Sequence, residues 1–170
     1  ITTTVGGNCG FSPLDTGAFL RSQTEFPIHQ AELVGLCALR EAAGVTDLFA
    51  PAKRAQVHTM EALCERALQS GAAGVSLGPG YAPGTSLEEM EALCTMARRY
   101  GRPAAIDTRM FAMTDLNSLS EAIELAEVTG CRMIVSHFEY QYGVGVEYKA
   151  LEMLELARAR GVDMRLDSGM

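Results

Sequence analysis

Met133-Ile134-Val135-Ser136-His137-Phe138-Glu139 is a short apolar run that stops at a serine and a histidine, with a glycine-ended helical pattern on either side. A run of that length between two helices reads as a buried parallel strand. In barrels of alternating strands and helices, ligands and chemistry gather at the C-terminal ends of the strands. His137 is therefore a candidate metal ligand or acid–base group, the alternative being a histidine that packs the strand end.

The flanking sequence repeats the same unit. Met60, Leu63, Cys64, Ala67 and Leu68 share one helical face, and the pattern stops at Gly71. Ser86 with Glu89 reads as a capping box opening a helix that ends at Gly101, and Ser118 with Glu121 reads as a second one ending at Gly130. A fourth helix is expected from about Val146 to Gly161. The four glycines are 30, 29 and 31 residues apart, and each is followed by a short apolar run: Val75-Ser76-Leu77, Ala104-Ala105-Ile106, Ile134-Val135 and Met164-Arg165-Leu166. That beat is the length of one strand–loop–helix unit.

Two architectures satisfy it, an open doubly wound sheet and a closed eight-stranded barrel. No GxGxxG follows a strand and no P-loop is present, which removes the usual nucleotide sites of the open form. A whole barrel needs roughly 250 residues. The expectation is thus an α/β chain forming part of a (β/α)8 barrel, roughly strands 2 to 6, as one domain over residues 1–170. Within it, 11–55 is expected to be an irregular insertion or loop region, where 31–43 reads either as a short strand leading into a helical turn or as a helix throughout. Ile1 to Val5 opens inside a strand-like run and Met170 follows another, so both ends look cut through a larger architecture, and unpaired edges would favour self-association.

Composition narrows the partners. A net charge of −7 with no basic stripe argues against nucleic acid or an anionic membrane surface and leaves a small-molecule substrate. The 170 residues contain no run long enough to span a bilayer and no signal-peptide pattern. Five cysteines, an odd number without a CxxC pair, fit reduced thiols and a cytoplasmic location.

The groups that could carry chemistry lie at the ends of the strand-like runs. Cys9, in the turn Gly6-Gly7-Asn8-Cys9-Gly10, is either a small buried hydrophobe or a thiolate that, with an imidazole, suits zinc. Asp107 and Arg109 leave the 104–106 strand together; they either pair with neighbours or bind substrate, Arg109 gripping a carboxylate in bidentate fashion. Asp167 and Glu139 are further candidates for orienting a histidine or holding a metal. Gly78-Pro79-Gly80-Tyr81-Ala82-Pro83-Gly84 is either a plain turn or a pocket wall carrying Tyr81 towards substrate. His29 and His58 lack HxH or HExxH spacing and are weaker candidates.

Several of these stretches resemble a known family. Ile1-Thr2-Thr3-Thr4-Val5 with Gly7-Asn8-Cys9-Gly10-Phe11-Ser12 is similar to the GVTTVVVGNCGFS segment of the N-acyl-D-amino-acid deacylases (D-aminoacylases) in the metal-dependent amidohydrolase superfamily. Leu33-Val34-Gly35 with Leu39-Arg40 resembles that family's LVGHGxLR, and Gly71 to Gly78 with Tyr81-Ala82-Pro83-Gly84 resembles GALGLSTGLxYxPG. Ile134-Val135-Ser136-His137 is similar to its ISH, after Arg109 in the place of the arginine of THxRxE. The resemblance implies a (β/α)8 barrel, a zinc site that includes Cys9 and His137, and zinc-assisted hydrolysis of a linear amide, with Arg109 as a substrate-binding candidate; Asp107 and Tyr81 are substrate-binding candidates from their own positions at strand ends. Departures accompany it. Leu36 replaces the histidine of GHG, Asp107 that of THxR, and Glu139 the lysine after SHL, while Asp167 stands near the family's DxYPY position. The early HxH and the late catalytic aspartate have no counterparts, so no catalytic residue is assigned and the isolated chain is expected to be inactive, with its zinc site incomplete. The alternatives are a metal-independent barrel lyase or aldolase using Asp107 and His137, and a non-catalytic ligand-binding or assembly domain.

Overall fold

A computed structural model describes residues 1–22, 25–109 and 115–168. Its elements run β1 (Thr3–Gly6), α1 (Thr16–Ser22), β2 (His29–Gly35), α2 (Leu36–Ala42), α3 (Arg54–Gln69), β3 (Gly74–Leu77), α4 (Leu87–Arg99), β4 (Ala104–Ile106), α5 (Leu116–Thr129), β5 (Met133–Val135), α6 (Phe138–Tyr142), α7 (Glu147–Ala159) and β6 (Met164–Leu166).

The strands form one sheet in chain order, β1-β2-β3-β4-β5-β6, every neighbouring pair parallel. A doubly wound sheet reverses its strand order at a switch point. This one does not, so the choice left open by the repeat falls to a barrel sector. The sheet is also curled. Four inter-strand steps would separate β1 from β5 by about 19 Å in a flat sheet. Yet the loops that follow them meet, Cys9 Sγ lying 2.9 Å from His137 Nε2.

Burial accounts for the strand composition. β3 and β4 are buried at every position, as strands covered on both faces must be. Met60, Cys64 and Ala67 of α3, Met90, Leu93 and Ala97 of α4, and Leu119 and Ala122 of α5 form one cluster with Val75, Ala104, Ile106, Met133 and Met164. The glycines that set the repeat have positive φ: Gly71 113°, Gly101 65°, Gly130 64° and Gly161 92°. At Gly71, Gly101 and Gly161 a Cβ would meet nothing within 4 Å. Backbone conformation rather than space therefore selects glycine there.

Three local expectations change. Residues 11–55 are not irregular throughout, since they contain α1, β2 and α2, the last two following the strand-then-helix reading of 31–43. β2 thus brings the strand count to six rather than five. Ser118 does not start a helix: Asp115 is the N-cap of α5, its side chain accepting from Asn117 N–H, and Glu121 turns to Arg109. Ser86 and Glu89, by contrast, form the expected capping box of α4. No helix among the described residues is long and apolar enough to cross a membrane.

Candidate metal centre

The loop after β1 folds back over the mouth of the sheet. Gly10 N–H donates to Ser76 Oγ at 2.8 Å, and Gly10 C=O accepts from Cys37 N–H at 2.8 Å. The fit is close enough that a Cβ on Gly35 would lie 2.2 Å from the Gly10 oxygen, and one on Gly78 would lie 2.3 Å from the Cys9 oxygen. Gly35 and Gly78, at the ends of β2 and β3, are the floor on which the cysteine loop rests.

His137 follows β5 and is the N-cap of the short helix α6. Its N–H donates to Asp167 Oδ1 at 2.9 Å, and the next N–H, of Phe138, donates to Asp167 C=O at 2.9 Å. Ser136 Oγ donates to Asn8 Oδ1 at 3.2 Å, tying the β5 loop to the β1 loop beside the Cys9–His137 contact. Cys9 (φ 59°) and His137 (φ 53°) are the two non-glycine residues with positive φ among the described residues. Each such conformation costs about 1–2 kcal/mol and persists only where the surroundings enforce it.

Asp107, 7% exposed at the end of β4, completes the group. The donor atoms of Cys9, Asp107 and His137 all lie within 4.8 Å of one another. Zinc takes cysteine sulfur at about 2.3 Å and histidine nitrogen or carboxylate oxygen at about 2.0–2.2 Å, which sets donors about 3.3–3.7 Å apart around a tetrahedral ion. The cluster matches that scale, with sulfur and nitrogen needing to separate by roughly half an ångström or more to admit the ion. Thiolate, imidazole and carboxylate are together a borderline-soft set suited to zinc. Burial, followed by the Asp107 and Asp167 carboxylates, pushes the Cys9 thiol up to about 11. A bound cation at that point reverses the balance and favours the thiolate.

The other sequence candidates divide. Asp107, expected at substrate, lies with Cys9 and His137 in the group whose atoms could hold a metal ion. Asp167 supports His137 through the backbone. Tyr81 is half-exposed and stacks edge-on against Phe11, ring centroids 5.2 Å apart. Its phenol is raised chiefly by the Asp107 charge, with burial and Cys9 following. Arg109 is committed elsewhere: Nε donates to both Glu121 oxygens, Nη1 to Pro83 C=O and Nη2 to Thr85 C=O. It fastens the 78–84 loop to α5, and a substrate carboxylate would have to displace one of these partners. Glu139 is exposed in the first turn of α6. His29 lies at the start of β2, at the opposite end of the sheet, and His58 pairs with Glu61 on the exposed side of α3. Sequence reasoning missed Asn8, Ser76 and the buried Gln141, whose Nε2 donates to Asp107. Of these, only Asn8 lies in a strand-end loop that could have flagged it; Ser76 is within β3 and Gln141 within α6.

No protein-family model matches the chain. In sequence it is 30% identical, over 98% of its length, to an N-acyl-D-glutamate deacylase of Alcaligenes xylosoxydans xylosoxydans, and 28% identical, over 99%, to a D-aminoacylase of the same organism. It spans 40% of the length of each. In structure it superposes on a D-aminoacylase, described as defining a novel subset of amidohydrolases, with a TM-score of 0.87 and 25% identity, covering 99% of this chain and 41% of that one. An N-acyl-D-glutamate deacylase from Bordetella bronchiseptica, in complex with zinc and a phosphonate mimic of the tetrahedral intermediate, gives a TM-score of 0.85 and 30% identity, over 98% of this chain and 41% of that one.

Proposed function

We propose, for a chain that is a relative of the N-acyl-D-amino-acid deacylases over 98% of its length, that the whole protein is a metal-dependent hydrolase of linear amides whose metal centre includes Cys9, Asp107 and His137. The observation that carries this reading is the convergence of a sulfur, an imidazole nitrogen and a carboxylate oxygen from the loops after β1, β5 and β4 within 4.8 Å. Zinc is the ion, since it suits that donor set and is the metal bound in the Bordetella relative. Bound there, zinc supplies Lewis-acid polarisation of the scissile carbonyl and acidifies water.

The chain's own residues contribute orientation and shape. The Gly35 and Gly78 floor presents Cys9, and Asp167 and the Asn8–Ser136 bond fix the backbone of His137. Tyr81 and Phe11 form an aromatic wall at the mouth, against which an acyl chain can pack. The substrate is an N-acyl-D-amino acid or a related amide. The chain spans about two fifths of its relatives, so turnover belongs to the whole protein, and residues 1–170 alone are expected to be inactive.

Zinc titration of the full-length protein with an amidase assay tests this. Cys9→Ser should lower zinc affinity by at least about tenfold and lower hydrolysis with it. Unchanged zinc affinity and undiminished hydrolysis in this variant would remove Cys9 from the metal centre.

A further inference from the structure

Asp107 is the inner end of a buried chain of polar side chains. Gln141 Nε2 donates to its Oδ1, the Thr108 hydroxyl lies 2.6 Å from Gln141 Oε1 and 2.8 Å from the Tyr142 phenol oxygen, and that oxygen lies 3.0 Å from Ser118 Oγ. Asp107 is 7% exposed, Gln141 and Ser118 4%, and Thr108 and Tyr142 1%. Nothing in the resemblance or in the hydrolase reading uses Gln141, Thr108, Tyr142 or Ser118.

The direction of the chain follows from what each group can do. A carboxylate accepts and does not donate, so Gln141 must turn its amide NH2 to Asp107 and its carbonyl to Thr108. Thr108 then donates its single proton to Gln141 and accepts from the Tyr142 phenol. The Tyr142 oxygen is left to accept from Ser118, whose proton can also reach Asp115 C=O at 2.8 Å. Every link from Tyr142 inward therefore points its proton at Asp107. A buried carboxylate gripped by such a donor is held in one rotamer.

Gln141 belongs to α6, the helix that His137 opens. One five-residue helix thus carries one donor of the cluster at its N-cap and grips another through Gln141. We infer that Gln141 is a positioning residue that fixes Asp107 as an oriented ligand for the cation held with Cys9 and His137. The inference rests on the metal-centre reading above. It makes Gln141 the group that lets an aspartate serve as ligand at the end of β4.

The test is metal binding by the full-length protein, read without turnover. Zinc affinity is measured by chelator competition, and ligand geometry by the visible spectrum of the cobalt(II)-substituted protein. Gln141→Met keeps the side-chain length and removes the donor; it should weaken zinc about 10–100-fold and move the cobalt bands. Thr108→Val keeps the shape and leaves the Gln141 amide free to turn over; it should act in the same direction by a smaller factor, and it serves as the test if Gln141→Met does not fold. Wild-type zinc affinity and an unchanged cobalt spectrum in a folded variant overturn the positioning role, even if its melting temperature has fallen. A wild type that binds no zinc overturns the metal centre itself, and this inference with it.

Discussion

The two ends of the sheet handle charge and backbone conformation in opposite ways. At the end where the strands begin, ion pairs lie in water, as with Arg132 and Asp163, whose side chains are 54% and 40% exposed. Left-handed backbone falls there on the helix-ending glycines, once per repeat. At the end where the strands finish, charge is buried in specific partnerships. Arg40 and Glu89 are 2% and 0% exposed, with Glu89 also accepting from Ser86 and Ala52 N–H and Arg40 donating to the Asp47 and Ala50 carbonyls. Left-handed backbone there falls on the loop glycines Gly7 and Gly10 but also on a cysteine and a histidine. The lower end is a repeated solution to a geometric problem. The upper end carries one-off arrangements that cost stability and hold chemical groups in place.

Substitutions of graded severity sharpen that contrast. Arg40→Met should be the most damaging, because it strands the Glu89 carboxylate without its guanidinium partner; removing one member of a buried pair costs about 3–5 kcal/mol. Chemical denaturation measures it, and a loss below about 1 kcal/mol would mean that the upper end tolerates charge as the lower end does. Gly101→Ala comes next, at about 1 kcal/mol, since the methyl group meets open space and only the positive φ resists it. The same measurement checks it, and a much larger cost would show that the repeated turns carry hidden packing.

Asp163→Asn should have the smallest effect, a melting temperature within about 2 °C of wild type, because the pair is screened by solvent. Arg132, and then Arg165, hold the Asp163 carboxyl below the usual carboxylate range, partly against the cost of burial. A depressed folded pKa contributes stability at neutral pH that is lost as the pH falls through it. The small difference between variant and wild type should therefore vanish in strong acid; thermal melts at several pH values follow it.

Legibility in the sequence divides along the same line. The glycine beat, the apolar runs after it and the Ser86–Glu89 capping box are local signals, and β3 to β6 fall where those signals point. β2 is only half legible, one of two readings of 31–43, because His29-Gln30-Ala31-Glu32-Leu33-Val34-Gly35 mixes polar and apolar residues, with Glu32 buried in its midst. Ser118 and Glu121 imitate a helix start but serve long-range partners, Tyr142 and Arg109. In the site, Cys9 and His137 could be singled out because their residue types are uncommon at strand ends. Gln141 could not, since it lies 34 residues from Asp107 and its role exists only once β4 and α6 are placed side by side.

The curl of the sheet couples two events usually described apart. Cys9 and His137 come from loops 128 residues apart, across three intervening strands, and an ion shared between them as proposed would bind tightly only while the sheet holds its curvature. By linkage, ligation favours the curved state over any flatter one, and whatever pairs with the outer edges of β1 and β6 tightens the ion by the same factor that the ion tightens that pairing. The metal would then work as a clasp on the arc, so chelation should loosen strand pairing far from any ligand, at the sheet's two margins.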